Sequence, residues 1–235
     1  MSILAMDTST SGCSAAVWDD GAVIANRFEM MARGQSEALA PMLDDVLREA
    51  GTNISDVDLI AVTTGPGAFT GLRIGLAMAR GMALARNVPC HGVTTMQAVA
   101  HGIDASLREG LPLVIVLESK RSDVYVQFFT ETLQESGPPK AMDLNTLADE
   151  IETSGTRYFL AGDANERTVR ELGDLVLPID GYGIPDAAVV ARLADEHRMS
   201  GGVPASPDPL YLRPPDAKPA KDSGGLRPPL GSGTL

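Results

Sequence analysis

Gly65-Pro66-Gly67-Ala68-Phe69-Thr70-Gly71-Leu72-Arg73-Ile74-Gly75-Leu76-Ala77 carries the change from strand to helix that decides the fold of this chain. The five residues before Thr64, Leu59-Ile60-Ala61-Val62-Thr63, are apolar and β-branched and predict a buried strand. A glycine-rich turn between strand and helix exposes backbone N–H groups at the positive end of the helix, a natural anion site. It is not a P-loop, because no Gly-Lys-Ser/Thr follows, and its glycines are not spaced as in the dinucleotide fingerprint. The same glycines can equally serve a tight turn and close packing. Thr70 is the expected N-cap, with Phe69 and Ile74 as a hydrophobic staple, and the helix is expected to end near 86, before Asn87-Val88-Pro89.

That helix is apolar nearly all round. Gly71, Gly75, Ala79 and Ala83 recur every four residues as a flat stripe, Leu72, Ile74, Leu76, Met78, Met82 and Leu84 fill most of the rest, and Arg73 and Arg80 mark a polar edge. Such a helix must be covered nearly all round, either within its own fold or by a partner chain. Upstream, residues 3–6, 13–18 and 22–28 predict a three-stranded antiparallel meander with turns at 7–12 and 19–21. Leu39, Leu43, Val46, Leu47 and Ala50 then fall at helical spacing, with Ser36 as the expected cap and Gly51 as the stop.

Downstream the layout starts again. Residues 113–117 and 124–130 predict a second hairpin, followed by helix-like 144–152, strand-like 157–160, and helix-like 165–172 and 186–198. Sliding this half onto the first sets Glu118 on Asp7 and Val124 on Cys13. The expected plan is one unit used twice, each copy opening with a hairpin that carries an acid. Asp7-Thr8-Ser9-Thr10 has the residue types for a metal-bound water and phosphate oxygens; it also suits a plain Asx or Ser/Thr turn.

Composition narrows the function classes. Nineteen basic residues against thirty-one acidic give a net charge of −12, a field that repels phosphate backbones on average. Aromatic content of 4% argues against a stacking platform for single-stranded nucleic acid, which needs exposed rings. Cys13 and Cys90 lack metal spacing and form no disulfide framework. His91, His101 and His197 are unpaired in sequence, and no nucleophile triad or His-Glu-x-x-His stands out. No leader-like start or membrane-length apolar run is seen, so a cytoplasmic protein with no membrane partner is expected.

Ile3-Leu4-Ala5-Met6-Asp7-Thr8-Ser9, the thirteen-residue glycine segment, Asn87-Val88-Pro89 and Tyr211-Leu212-Arg213 together resemble the bacterial TsaB (YeaZ) family. The resemblance is continuous over about 2–101, looser to 213 and absent beyond. It implies an α/β, actin-like ATPase (ASKHA, RNase H-like) fold of two duplicated lobes, with mixed sheets flanked by helices. The lobes are expected at 1–104, carrying the partner-binding helices, and 105–213, with a disordered Pro/Gly/Ser-rich tail at 214–235.

Membership further implies a non-catalytic subunit of the machinery that makes N6-threonylcarbamoyladenosine (t6A) at position 37 of tRNA. Its expected partners are the catalytic TsaD paralogue, in a heterodimer, and the TsaE ATPase, with tRNA reached indirectly through the complex. A homodimer is left open for the isolated chain. The first two helices, 36–50 and 71–86, map onto the family's TsaD contact, so Leu39, Leu43, Leu72, Gly75, Leu76, Ala79 and Ala83 are the expected interface residues. Asp7, Thr8, Gly65 and Gly67 would mark a vestigial phosphate site. Thr95 and Val99 stand where the paralogue has its His-x-x-x-His metal pair, and neither can replace imidazole, so no catalytic residue, metal or cofactor is expected.

Two positions depart from the family pattern: Gln35 stands for a His, and Glu118-Ser119-Lys120-Arg121 for Asp-Ala-Arg-Arg. The alternative is an active small-molecule kinase or ATPase of the same fold, using Asp7, Glu118 and Ala161-Gly162-Asp163-Ala164. A peptidase ranks third, for want of a nucleophile or metal ligands.

Overall fold

The hairpin predicted at the N-terminus forms as β1 (Ile3–Asp7) and β2 (Gly12–Asp19), extended by β3 (Ala22–Met30). A computed structural model describes residues 1–108 and 110–213; the tail expected at 214–235 lies outside the described residues. Every residue of β1 is buried, as are those of β4 (Leu59–Thr63), and β1 lies between antiparallel β2 and parallel β4. Strands that read as continuous apolar runs need cover on both faces. Here α1 (Gln35–Glu49) and α2 (Phe69–Arg86) pack on one face, and α6 (Ala187–Met199) packs on the other.

The rest of the first half is β5 (Cys90–Val93) and α3 (Thr95–Gly102). A reciprocal capping box starts α3: the Gln97 amide N–H donates to Thr94 Oγ1 at 3.1 Å, and the Thr94 N–H donates to Gln97 Oε1 at 3.0 Å. The second half supplies β6 (Leu113–Glu118), β7 (Val124–Phe129), β8 (Lys140–Met142), α4 (Leu144–Ser154), β9 (Tyr158–Ala161), α5 (Asn165–Leu172) and β10 (Val176–Pro178) before α6.

The sheets run β3-β2-β1-β4-β5 and β8-β7-β6-β9-β10, one topology used twice, which is the duplicated actin-like plan. Asp7 pairs with Ser14 and Glu118 with Val124, so the second hairpin turn is one residue shorter than the first. Val124 therefore matches Ser14, not Cys13.

The lobes do not divide at residue 104. Met96, Val99 and Ala100 of α3 pack under the second sheet with Leu113, Ile115 and Phe129. Ala187, Val190, Ala191 and Ala194 of α6 pack under the first sheet with Ile3, Ala5 and Ala61. Each repeat thus lends its last helix to the other. After α6, residues 202–213 return along the first lobe as a strap: the Gly92 N–H donates to the Ala205 carbonyl at 3.0 Å and the Leu210 N–H to the Thr64 carbonyl at 2.7 Å.

Three local expectations are corrected. α1 starts at Gln35 behind left-handed Gly34 (φ 97°), and the Ser36 hydroxyl turns to the Glu37 carboxylate instead of capping. α2 starts at Phe69 with Ala68 as N-cap, so Thr70 lies inside the helix. Phe69 is 45% exposed and makes no staple with Ile74; its ring instead lies 5.4 Å from that of Tyr211. Among the described residues, no helix is long and apolar enough to cross a membrane.

Candidate functional site

Three carboxyl groups sit where the two lobes face each other, and each has a different environment. Asp7, at the end of β1, is fully buried. Its Oδ1 accepts from the Ser9 N–H at 3.0 Å, the Ser9 hydroxyl at 2.6 Å and the Thr63 hydroxyl at 2.6 Å, while Oδ2 has no partner among the described residues. Burial raises its pKa to about 6 against the opposing pull of those hydrogen bonds. Glu118, its counterpart at the end of β6, is half-buried and paired with Arg167 of α5 at 3.2 Å. Asp163, after β9, accepts the Glu118 backbone N–H at 2.7 Å, and burial lifts its pKa to about 6 as well.

The glycine-rich turn closes over the first of these acids. The Thr8 hydroxyl donates to the Gly71 carbonyl at 2.7 Å, and the Ala68 N–H donates to the Ser9 carbonyl at 2.7 Å. A Cβ on Gly67 would overlap the Ser9 carbonyl oxygen, one on Gly71 would overlap that of Thr8, and one on Gly75 would come within 2.7 Å of Thr8 Oγ1. Gly65, with φ 108°, needs glycine for its backbone. Of the four positions expected at a phosphate site, Asp7 and Thr8 have their polar side chains bonded to Ser9, Thr63 and Gly71, apart from Asp7 Oδ2.

Between the lobes lies a cavity of about 760 Å³. Ser9, Thr10 and Ser11 line it from the first lobe; Glu118, Asp163, Glu166 and Asp180 bring four carboxylates from the second, against one ammonium, Lys120. Asp7 is not among its walls, so Asp7 and Glu118 do not form a facing carboxylate pair. Sequence reasoning missed Thr63, Arg167 and Asp180; Asp7, Glu118 and Asp163, the last as part of 161–164, were legible.

The residues expected at a partner interface point inward. Leu39, Leu43, Leu72, Leu76, Ala79 and Ala83 are at most 6% exposed, and Gly75 is buried. The small-residue stripe of α2 fits the helix onto the Thr8 turn and Val62. The outward line of α2 is Thr70, Arg73, Ala77, Gly81 and Leu84, with Leu84 84% exposed and open space beyond Gly81. Arg73 and Arg80, the polar edge, hold the strap: Arg73 Nε donates to the Tyr211 hydroxyl at 3.1 Å, and Arg80 binds the Pro207 carbonyl and the Asp208 carboxylate. Thr95 and Val99 are both buried on α3.

Known proteins match this geometry. The chain fits the TsaD family model, described as tRNA N6-adenosine threonylcarbamoyltransferase, over residues 24–152. It is 40% identical over 126 residues to the tRNA threonylcarbamoyladenosine biosynthesis protein TsaB of Escherichia coli, an alignment spanning 53% of each chain. The protein of the same name from Haemophilus influenzae is 28% identical over 229 residues, 91% of this chain and 94% of the relative. Among solved structures, YeaZ from Pseudomonas aeruginosa superposes with a TM-score of 0.77 at 27% identity, covering 90% of this chain and 99% of that one.

Proposed function

The chain belongs to the TsaB (YeaZ) family, and on that premise we propose that it is the non-catalytic subunit of a cytoplasmic tRNA t6A37 modification complex. Its role is to bind and support the catalytic TsaD paralogue, together with the TsaE ATPase. The observation that carries the non-catalytic reading is the sealed state of Asp7. The acid that an actin-like ATPase would turn toward metal and phosphate is here fully buried, bonded to Ser9 and Thr63, and screened from the interlobe cavity. Turning it outward would break its bonds to the Ser9 and Thr63 hydroxyls and leave buried polar groups unpaired, at roughly 1–3 kcal/mol each.

The outward face of α2 supports the partner role. Ala77, Gly81 and Leu84 present an apolar strip flanked by Arg73 and Arg80, while the outer side of α1 carries Glu37, Asp44, Arg48 and Glu49. An exposed apolar helix face of this kind fits a second helix in a bundle. The paralogue is proposed to sit there, and a second copy of this chain can take its place in isolation.

The alternative, an active kinase or ATPase, draws on the interlobe cavity. Its walls carry four carboxylates against one ammonium; Glu118 and Glu166 are paired with Arg167 and Arg170, and Asp163 and Asp180 remain to oppose a polyphosphate, while the first-lobe acid does not reach it. The deciding experiment reconstitutes t6A formation from the TsaD paralogue, TsaE, threonylcarbamoyl-adenylate and tRNA, with and without this chain. The expected result is activity only when the chain and the paralogue are both present. Turnover of threonylcarbamoyl-adenylate or ATP by the chain alone at an enzyme-like rate would overturn the reading.

A further inference from the structure

Two cavities meet at the β6–β7 turn and carry opposite charge. The interlobe cavity is acidic, as described. On the other side of Lys120 lies a groove of about 540 Å³ whose walls carry Arg73, Lys120, Arg121 and Arg213 against a single carboxylate, Glu118. That carboxylate is already paired with Arg167, as Arg213 is with Asp123. Four of the nineteen cations of a chain with net charge −12 thus converge on one small groove. They arrive from three separated segments: the first turns of α2, the β6–β7 turn and the C-terminal strap. Asp123 forms an ion pair with Arg213 and holds its guanidinium at the edge of the groove.

The same groove is aromatic. Phe69 and Tyr211 are 45% and 41% exposed, and their rings lie 5.4 Å apart with an interplanar angle of 32°. The Arg73 guanidinium lies 3.7 Å from the Phe69 ring centroid and is tied to the Tyr211 hydroxyl. Tyr125 adds a third ring to the wall. A cation stacked on one ring and hydrogen-bonded to the next forms a fixed platform, so little freedom is lost when a flat ligand settles on it.

From this geometry we propose that the groove binds an unpaired nucleotide segment of RNA, with a base against the Phe69–Tyr211 pair and the flanking phosphates against Lys120, Arg121 and Arg213. The inference rests on the tRNA-modification reading and deepens it, giving this subunit a direct hold on the RNA. The groove is too small for a duplex and has the two components that single-strand sites combine, a cationic track and stacking rings. The acidic cavity next door repels the phosphates and leaves the groove as the place where they can lie.

The test measures binding of tRNA and of a short unstructured oligoribonucleotide by fluorescence anisotropy over a salt series. It uses the full chain alone and in complex with the TsaD paralogue. The variants are Lys120→Glu with Arg121→Glu, both exposed and outside the core, and Phe69→Ala. The double reversal is expected to weaken binding at least about tenfold and to flatten the slope of log K against log salt by about 1.4, two single-strand phosphate contacts. Phe69→Ala is expected to weaken binding severalfold or more with the slope unchanged. Unaltered affinity and slope in the double reversal, or no RNA binding by the wild-type chain in either state, would overturn the inference. So would ready displacement of the RNA by equimolar ATP, which would assign the groove to a free nucleotide. Failure to pair with the paralogue would instead sink the proposed function, while the RNA measurements on the chain alone still decide the groove.

Discussion

The Thr8 hydroxyl donates to the Gly71 carbonyl oxygen at 2.7 Å, locking the turn after β1 against the first turn of α2. This contact exists because Gly71 has no side chain; a Cβ there would overlap the Thr8 carbonyl oxygen. Gly71→Ala is therefore expected to destabilise the chain by about 1–3 kcal/mol, the usual range for overpacking against backbone that cannot shift freely. Gly81, ten residues along the same helix, has open space where a Cβ would stand. Gly81→Ala is expected to stabilise by about 0.5–1 kcal/mol through helix propensity alone. Urea denaturation of the two variants should shift the midpoint in opposite directions; a common direction would refute the packing described.

Asp7 makes a pH prediction with a defined sign. Its pKa is raised from 3.8 to about 6, mainly by burial, so the native chain holds a proton that the unfolded chain releases between those values. The stability from this group is full below 3.8 and is lost as pH rises through 6, amounting to roughly 3 kcal/mol. Ionised at pH 7, Asp7 is a net burden. Asp7→Asn keeps the shape, removes the charge, and should raise stability at pH 7 while flattening the slope between pH 4 and 6. The slope that remains combines Asp163, which is raised to a similar value, with the opposite contribution of His91, which is lowered to about 4. In the reconstituted complex the same variant should leave t6A formation unchanged. A drop of tenfold or more in a variant that folds normally would mean the sealed acid takes part in the chemistry after all.

Much of the fold is legible in the residues. The apolar runs at 3–6, 59–63 and 113–117 become the central strands, and the acid-bearing turns at Asp7 and Glu118 mark the duplication. What periodicity cannot supply is the identity of the neighbour. The stripe Gly71, Gly75, Ala79 and Ala83 is visible in sequence, and it does permit close approach, but to Thr8 and Val62 of the same chain. Leu39 and Leu43 are likewise recognisable as a buried face without any sign of what buries them. The packing of α6 under the first sheet, and the strap held by Arg73 and Arg80, join residues more than 100 apart. No local signal encodes such contacts. The site was legible as a set of acids and glycines; the partners that occupy them, Ser9 and Thr63 on Asp7 and Arg167 on Glu118, were not.

His91 links the strap to pH. Its ring is 5% exposed, lies 4.8 Å from that of His197, and accepts the Ala205 N–H on Nδ1 at 3.0 Å. Burial, and then the charge of His197, lowers its pKa from 6.5 to about 4. A depressed base gives stability that is full above 6.5 and is lost as pH falls through 4. Protonated Nδ1 cannot accept the Ala205 N–H, so strap amides such as Ala205 and Leu210 should exchange faster, relative to the core, as pH drops from 6 to 4. His91→Leu should abolish that pH dependence. Strap protection that follows the core strands at every pH would disprove the link.

The outward face of α2 gives the sharpest test of partner docking. Substitution of Gly75 cannot serve, because a Cβ there meets Thr8 Oγ1 at 2.7 Å and Val62 at 3.5 Å, so any loss of binding would be confounded with damage to the fold. Gly81 is free of that problem. A phenylalanine at this position points into solvent in the isolated chain, and replacing glycine favours the helix. Against a helix packed at 8–10 Å, the same ring must displace side chains or push the axes apart. Leu84, 84% exposed, gives the complementary variant, since Leu84→Glu adds a charge that an apolar interface would have to desolvate. Both Gly81→Phe and Leu84→Glu should leave the melting temperature of the isolated chain within a few degrees of wild type. Each should weaken the complex with the TsaD paralogue at least tenfold, about 1.4 kcal/mol, by calorimetry. Ala40→Glu, on the charged outer side of α1, is the matched control and should cost little. If the two α2 variants bind as tightly as this control, the paralogue docks elsewhere, and the apolar strip on α2 needs another occupant.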